Sequence, residues 1–194
     1  MTSSVPETRP SEALIFDCDG TLADTMPAHH QAWQTTLAGL GASFPVDRFY
    51  ALAGVPTPRI ARLLAEEYAL TIDPDVLAAR KEQAYVDSMP AVQPIEKVVA
   101  IARAARGRIP MAVASGSHRV LVEMTLAQIG VRDWFPVVVA AEDTQRHKPE
   151  PDVFLLAAER LGVPPEICVV YEDADLGIEA ARRAGMRWVD IRRL

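Results

Sequence analysis

Asp17-Cys18-Asp19-Gly20-Thr21 follows directly on the apolar run Ala13-Leu14-Ile15-Phe16. Four apolar residues in a row read as a short strand buried on both faces. Two carboxylates one residue apart then close the strand, and Gly20 turns the chain at once. Carboxylates are depleted in strands and costly to bury without a partner. The pentapeptide therefore reads either as an acidic surface turn or as a strand tip that concentrates negative charge for chemistry. Cys18 lies between the two acids. Strand alternation turns it to the opposite face, so it reads as a small buried hydrophobe rather than a nucleophile.

Apolar residues make up 49% of the 194 positions, enough for one domain with a modest insertion. The net charge of −6 argues against a nucleic-acid partner. No apolar run nears the ~18 residues of a membrane span. Met1 to Ser11 is polar and Pro-bearing, without the apolar stretch of a signal peptide, and reads as a loose tail. Cys18 and Cys168 have no metal-ligand spacing. These features fit a cytoplasmic chain, and with no sign of an obligate partner a monomer is expected.

Further strand-like runs follow at Met111–Ala114, Val137–Ala140, Ile167–Tyr171 and Trp188–Ile191. Helical periods alternate with them. Ile95, Val98, Val99 and Ala102 form one stripe, and Val120, Met124 and Ala127 a second. Phe154, Ala157, Ala158 and Leu161 form a third, and Gly177, Ala180, Ala181 and Ala184 a small-residue fourth. Alternating strand and helix predict a doubly wound parallel α/β sheet. The stretch from Pro27 to Pro90 breaks the rhythm. Stripes His29-Trp33-Leu37-Leu40, Ile60-Leu63-Leu64-Tyr68 and Val76-Ala79-Lys81-Ala84-Tyr85 read as helices instead. An insertion this long should be structured. The expected organisation is an α/β core over 12–26 and 91–194, with a helical cap over 27–90 on two hinge linkers.

In such a sheet, function belongs at the carboxyl ends of the strands. Asp17 and Asp19 end the first strand, Ser115-Gly116-Ser117 the second, and Glu172-Asp173 the fourth, while Lys148 follows the third after a loop. Each has a plain alternative: a helix cap for Ser115, a solvated lysine, acids favouring a helix start. Their convergence on one edge suits phosphoryl transfer. Asp17 would attack phosphorus and form an aspartyl-phosphate. Asp19 would protonate the leaving oxygen and then deprotonate the attacking water. Magnesium would be held by Asp17, Asp173, the carbonyl of Asp19 and Glu172. Ser115 and the amides of Gly116 and Ser117 would bind phosphate oxygens, and Lys148 would balance the phosphoryl charge.

The ordered set Asp17-x-Asp19-Gly20-Thr21, Ser115, Lys148 and Glu172-Asp173 resembles the four motifs of the haloacid dehalogenase-like hydrolases. The helical insertion resembles their class I cap. Lys148-Pro149-x-Pro151-Asp152-x-Phe154 and the run from Glu172 to Met186 are similar to the β-phosphoglucomutase-like branch, and within that branch the overall sequence resembles most the small bacterial fructose-1-phosphate phosphatases. The resemblance runs from about Glu12 to the C-terminus. It implies magnesium, Asp17 as nucleophile and Asp19 as acid/base. In the cap, His29 and Trp33 match positions near the hinge and substrate pocket, and Lys81 matches a cap lysine. Arg59 lies within about one residue of the arginine that grips a non-reacting phosphate. Core packing for Trp33 and His29, and solvated helix charges for Arg59 and Lys81, stand beside those roles. His30, His118 and His147 read as surface residues. Thr21 replaces the mutase valine, and its hydroxyl is expected to orient water or phosphate. The expected activity is hydrolysis of a small phosphorylated sugar. A phosphoglucomutase-type isomerase, a non-catalytic phosphosugar sensor and a metal-free dehalogenase are the rivals.

Overall fold

The computed structural model describes residues 12–194; the tail expected over Met1–Ser11 lies outside the described residues. Strands β1 (Ala13–Phe16), β2 (Met111–Ala114), β3 (Val137–Val139), β4 (Cys168–Glu172) and β5 (Arg187–Asp190) form one parallel sheet in the order β3-β2-β1-β4-β5. β1 is central, with Phe16 opposite Val113 on one side and Tyr171 on the other. The chain winds outward from β1 in both directions, so the carboxyl end of β1 is where the winding reverses.

The four-residue apolar run has a simple cause. Leu14 and Phe16 face α5 (Glu96–Ala105) and α6 (Arg119–Gln128), packing with Val98, Val99 and Leu126. Ala13 and Ile15 face α7 (Asp152–Leu161) and α8 (Asp175–Arg183), packing with Phe154, Ala157, Ala180 and Ala181. Both faces are covered, so neither alternates with polar residues. Each fully buried large side chain contributes about 1.5–3 kcal/mol.

Between β1 and α5 run α1 (Met26–Leu37), α2 (Val46–Ala51), α3 (Thr57–Glu67) and α4 (Pro74–Ser88). The start of α4 follows local chemistry: the Asp73 carboxylate accepts from the amides of Asp75 (2.7 Å) and Val76 (3.3 Å), and Pro74 takes the first helical position. Trp33, Leu37, Phe44, Phe49, Ile60 and Leu77 form a hydrophobic cluster within this segment. Its two connections to the sheet lie side by side. Asp24 N–H donates to Gln93 O, and Ile95 N–H to Leu22 O, each at 2.9 Å.

The structure corrects several details of the sequence pattern. β4 and β5 sit one residue away from the expected runs, and β3 ends at Val139. Cys18 is in the turn after β1 rather than in a strand, though still buried in the core. The short helix α2 was not evident from any apolar stripe. On α6 the expected stripe faces solvent, Val120 being 61% and Met124 38% exposed, while Leu121, Val122, Thr125 and Leu126 face inward. Thr125 misleads because its buried hydroxyl has a partner, Tyr85. On α4 the inward face is Leu77, Ala78, Lys81 and Tyr85, and Val76 is exposed. Among the described residues no helix is long and apolar enough to cross a membrane.

Candidate active site

The pairing of β1 with β4 places Asp17 beside Glu172 and Asp173. The amide of Asp17 donates to Tyr171 O at 3.0 Å, extending the ladder to the motif. Carboxylate oxygens of Asp17, Glu172 and Asp173 all lie within 4.8 Å of one another. Lys148 enters from the loop after β3, fully buried. Its Nζ donates to Asp17 Oδ1 at 2.7 Å and to Glu172 Oε2 at 2.8 Å. Glu172 Oε1 accepts from the Ala174 amide at 3.1 Å.

Two glycines make this crowding possible. Gly20 has φ near +80°, and a Cβ there would lie 2.3 Å from Asp173 Oδ2. A Cβ on Gly177 of α8 would lie 2.1 Å from Glu172 Cδ. The small-residue face of α8 thus serves the acidic cluster as well as helix packing.

Three carboxylates with one ammonium leave excess negative charge. Burial and repulsion from Glu172 push Asp17 upward, against the pull of Lys148. Burial and Asp17 push Asp173 up to about 7. Burial raises Glu172, with Lys148 opposing. Lys148 moves above the ordinary lysine range because its two carboxylates outweigh burial. An all-oxygen set with uncompensated charge fits a hard divalent cation.

Asp19 occupies a different environment. Its Oδ1 accepts from Thr25 Oγ1 at 2.8 Å and from His29 Nε2 at 3.2 Å, and its Oδ2 from Ser117 Oγ at 2.6 Å. Ser115 Oγ lies at 3.5 Å and accepts from the Ser117 amide at 3.0 Å. Burial alone would raise Asp19; His29, Ser117 and Thr25 outweigh it and hold the carboxyl well below its usual range.

His29 receives a second partner from α4. Lys81 Nζ donates to His29 Nδ1 at 2.8 Å and to Thr57 Oγ1 at 3.3 Å. An ammonium can only donate, so Nδ1 accepts, and the neutral ring carries its proton on Nε2, facing Asp19. Burial and Lys81 lower His29, consistent with a neutral ring. Burial pulls Lys81 down to about 8.

A cleft between the sheet edge and the helical segment is lined by Asp17, Asp19, His29, Trp33, Lys81, Ser115, Gly116, Ser117, Glu172 and Asp173. Its outer wall is apolar, from Phe49, Leu52 and Ile60. Two expected substrate contacts fall elsewhere. Thr21 is buried and donates its hydroxyl to Asp173 Oδ1 at 3.2 Å rather than into the cleft. Arg59 is exposed and lines a neighbouring groove with Arg62, His118 and His147. It sits opposite the buried face of α3, which presents Ile60, Ala61, Leu64 and Ala65. His30, expected at the surface, is partly buried and bonded to Phe44 O at 3.0 Å. Sequence reasoning missed Thr25, Thr57, Gly177's clearance of Glu172, and the contact of Tyr85 with His29. The last had a signal: Tyr85 stands four residues after Lys81 on one helical stripe.

A family model described as haloacid dehalogenase-like hydrolase matches residues 12–185. The chain is 47% identical over 183 residues to the fructose-1-phosphate phosphatase YqaB of Escherichia coli, covering 93% of this chain and 96% of that protein. Among solved structures, a β-phosphoglucomutase from Clostridium difficile is similar at TM-score 0.80 and 26% identity, covering 91% of this chain and 82% of that one. CbbY from Rhodobacter sphaeroides, crystallised with phosphate, is similar at TM-score 0.79 and 30% identity, covering 91% and 84%.

Proposed function

The chain belongs to the haloacid dehalogenase-like hydrolase family, as a phosphoric monoester hydrolase, and we propose that it is a magnesium-dependent phosphatase of small sugar phosphates, with fructose 1-phosphate as its representative substrate. The observation that carries this is the meeting of Asp17 with Glu172 and Asp173 around the Lys148 ammonium at the carboxyl end of β1. The similarity to a fructose-1-phosphate phosphatase supports the choice of sugar phosphate.

In this reading Asp17 attacks phosphorus, the bond from phosphorus to the sugar oxygen breaks, and that oxygen leaves with a proton from Asp19. Water, deprotonated by Asp19, then attacks the aspartyl-phosphate, releasing inorganic phosphate and restoring Asp17. Magnesium, held by Asp17 and Asp173 with Glu172 beside them, would neutralise charge on the phosphoryl oxygens. Lys148 adds a fixed positive charge against Asp17. Ser115, Gly116 and Ser117 bind the phosphoryl oxygens. The Ser117 hydroxyl now on Asp19 turns to substrate, removing one donor and bringing a dianion close. Both changes raise Asp19 toward the protonated form that the first step requires. The helical residues 27–90 act as a cap over the core of 12–26 and 91–194, with the paired linkers at Asp24 and Gln93 as hinge. Trp33 and the apolar wall pack on the sugar, and Lys81 and His29 orient Asp19.

The test is phosphate release from a panel of phosphorylated sugars, with magnesium and with chelator. Metal-dependent release from fructose 1-phosphate, without added bisphosphate, is expected. Isomerisation that needs a bisphosphate and releases no phosphate would replace hydrolysis with mutase chemistry.

A further inference from the structure

Tyr85 is fully buried, and its ring stacks on the His29 imidazole, with centroids 3.8 Å apart and planes 12° from parallel. Its hydroxyl shares a 2.8 Å hydrogen bond with the hydroxyl of Thr125, itself buried on α6. Lys81, one turn earlier on α4, holds His29 Nδ1. Helix α4 therefore grips the imidazole twice, on one edge through Lys81 and on one face through Tyr85. Hydrogen bonds at the two ring nitrogens hold two atoms of the ring and leave its plane free to roll about the line joining them. A stacked ring fixes the plane. Tyr85 is in turn tied to α6, whose Val122 and Leu126 pack into the sheet-side core while Leu121 packs with Tyr85 itself.

We propose that Tyr85 is a positioning residue for Asp19: its ring sets the plane of His29, and its bond to Thr125 references that plane to the sheet rather than to the helical segment alone. The inference rests on Asp19 acting as the acid of the proposed phosphatase. His29 Nε2 meets Asp19 at 3.2 Å, so a tilt of the imidazole moves the donor off the carboxylate and the carboxylate off the leaving oxygen. Misplacement of about 1 Å in such an arrangement costs on the order of 10²-fold.

The experiment compares kcat/KM for fructose 1-phosphate and p-nitrophenyl phosphate. In both, Asp17 bonds to phosphorus and the ester P–O bond breaks. The sugar oxygen must take a proton from Asp19, whereas p-nitrophenolate departs without one. Tyr85→Leu, which removes the ring face, is expected to lower kcat/KM for fructose 1-phosphate about 30-fold and for p-nitrophenyl phosphate less than about 3-fold. Tyr85→Phe, which keeps the ring but frees it from Thr125, should show a smaller loss with the same selectivity, and Thr125→Val should match it. Equal losses with both substrates, or none, overturn the inference and leave Tyr85 as packing. If Tyr85→Leu fails to fold, Tyr85→Phe and Thr125→Val decide by the same ratio. Asp19→Asn separates the two levels. A selective loss there with unselective Tyr85 variants overturns the positioning role alone, and an unselective loss overturns the acid role of Asp19 and this inference with it.

Discussion

On the sheet side of the cleft, Asp17 faces two carboxylates and one ammonium. On the helical side, Asp19 faces hydroxyls and a neutral imidazole. The two acids are separated by one residue, and both are shielded from water, yet the first is pushed up and the second held down. Burial acts the same way on each, so neighbours decide the sign. Like charges and too few donors leave Asp17 short of compensation; three donors over-satisfy Asp19. One environment calls for a cation. In the other, on the proposed mechanism, substrate displaces a donor. Two carboxylates of one turn can thus take different chemical roles, as environment rather than residue type dictates.

The sharpest way to break this comparison is to remove the charge on one side. Asp17→Asn should abolish phosphate release, by about 10⁴-fold or more, because no other group can carry the phosphoryl. Asp19→Asn should cost about 10²–10⁴-fold while leaving magnesium binding by calorimetry nearly unchanged, since its carboxylate lies outside the acidic cluster. If the two variants lose activity and metal together, the two sides are not distinct.

Metal dependence sharpens the sheet side. Asp173 is near 7 when folded and about 3.9 when unfolded. A raised carboxyl stabilises the metal-free fold below the unfolded value, and that contribution is lost as pH rises through about 7. A bound cation replaces the protons and removes the loss. The gain in Tm on adding magnesium to chelated protein should therefore grow from pH 5 to pH 8. A gain that is flat or larger at pH 5 would contradict the charge assignment. On the helical side, Lys81 is an obligatory donor to His29 Nδ1 only while protonated; the neutral amine can also accept and no longer fixes the tautomer. Activity should fall as pH rises above about 8, and Lys81→Met should be slower, by about 10-fold, without that alkaline limb. The smallest effect is steric. Gly177→Ala should push Glu172 aside and cost about 1–3 kcal/mol in denaturant melts.

The sheet side was largely legible in the sequence. Its acids and lysine follow apolar runs that could only be buried strands, and strand ends fix where side chains meet. The helical side was less so. Lys81 and Thr125 are polar residues turned inward, and each is satisfied by a partner far away in sequence: His29, 52 residues from Lys81, and Tyr85, 40 residues from Thr125. A pattern that sorts polar from apolar puts Thr125 at the surface and turns the expected stripe on α6 to the wrong face, whereas Lys81 lies on the expected α4 stripe and only its partner escapes the spacing. Arg59 was placed by its position along the chain, whereas a helix face is set by rotation. One residue of offset, about 100°, turns it from cleft to solvent.

The central place of β1 between β2 and β4 also bears on biosynthesis. Glu172 and Asp173 follow Asp17 by 155 and 156 residues, so they leave the ribosome roughly 10–30 s after it at ordinary elongation rates. Until β4 docks, Asp17 lacks the Glu172 and Asp173 carboxylates beside it. On the proposed mechanism, a nascent polypeptide is catalytically silent until β4 has docked beside β1.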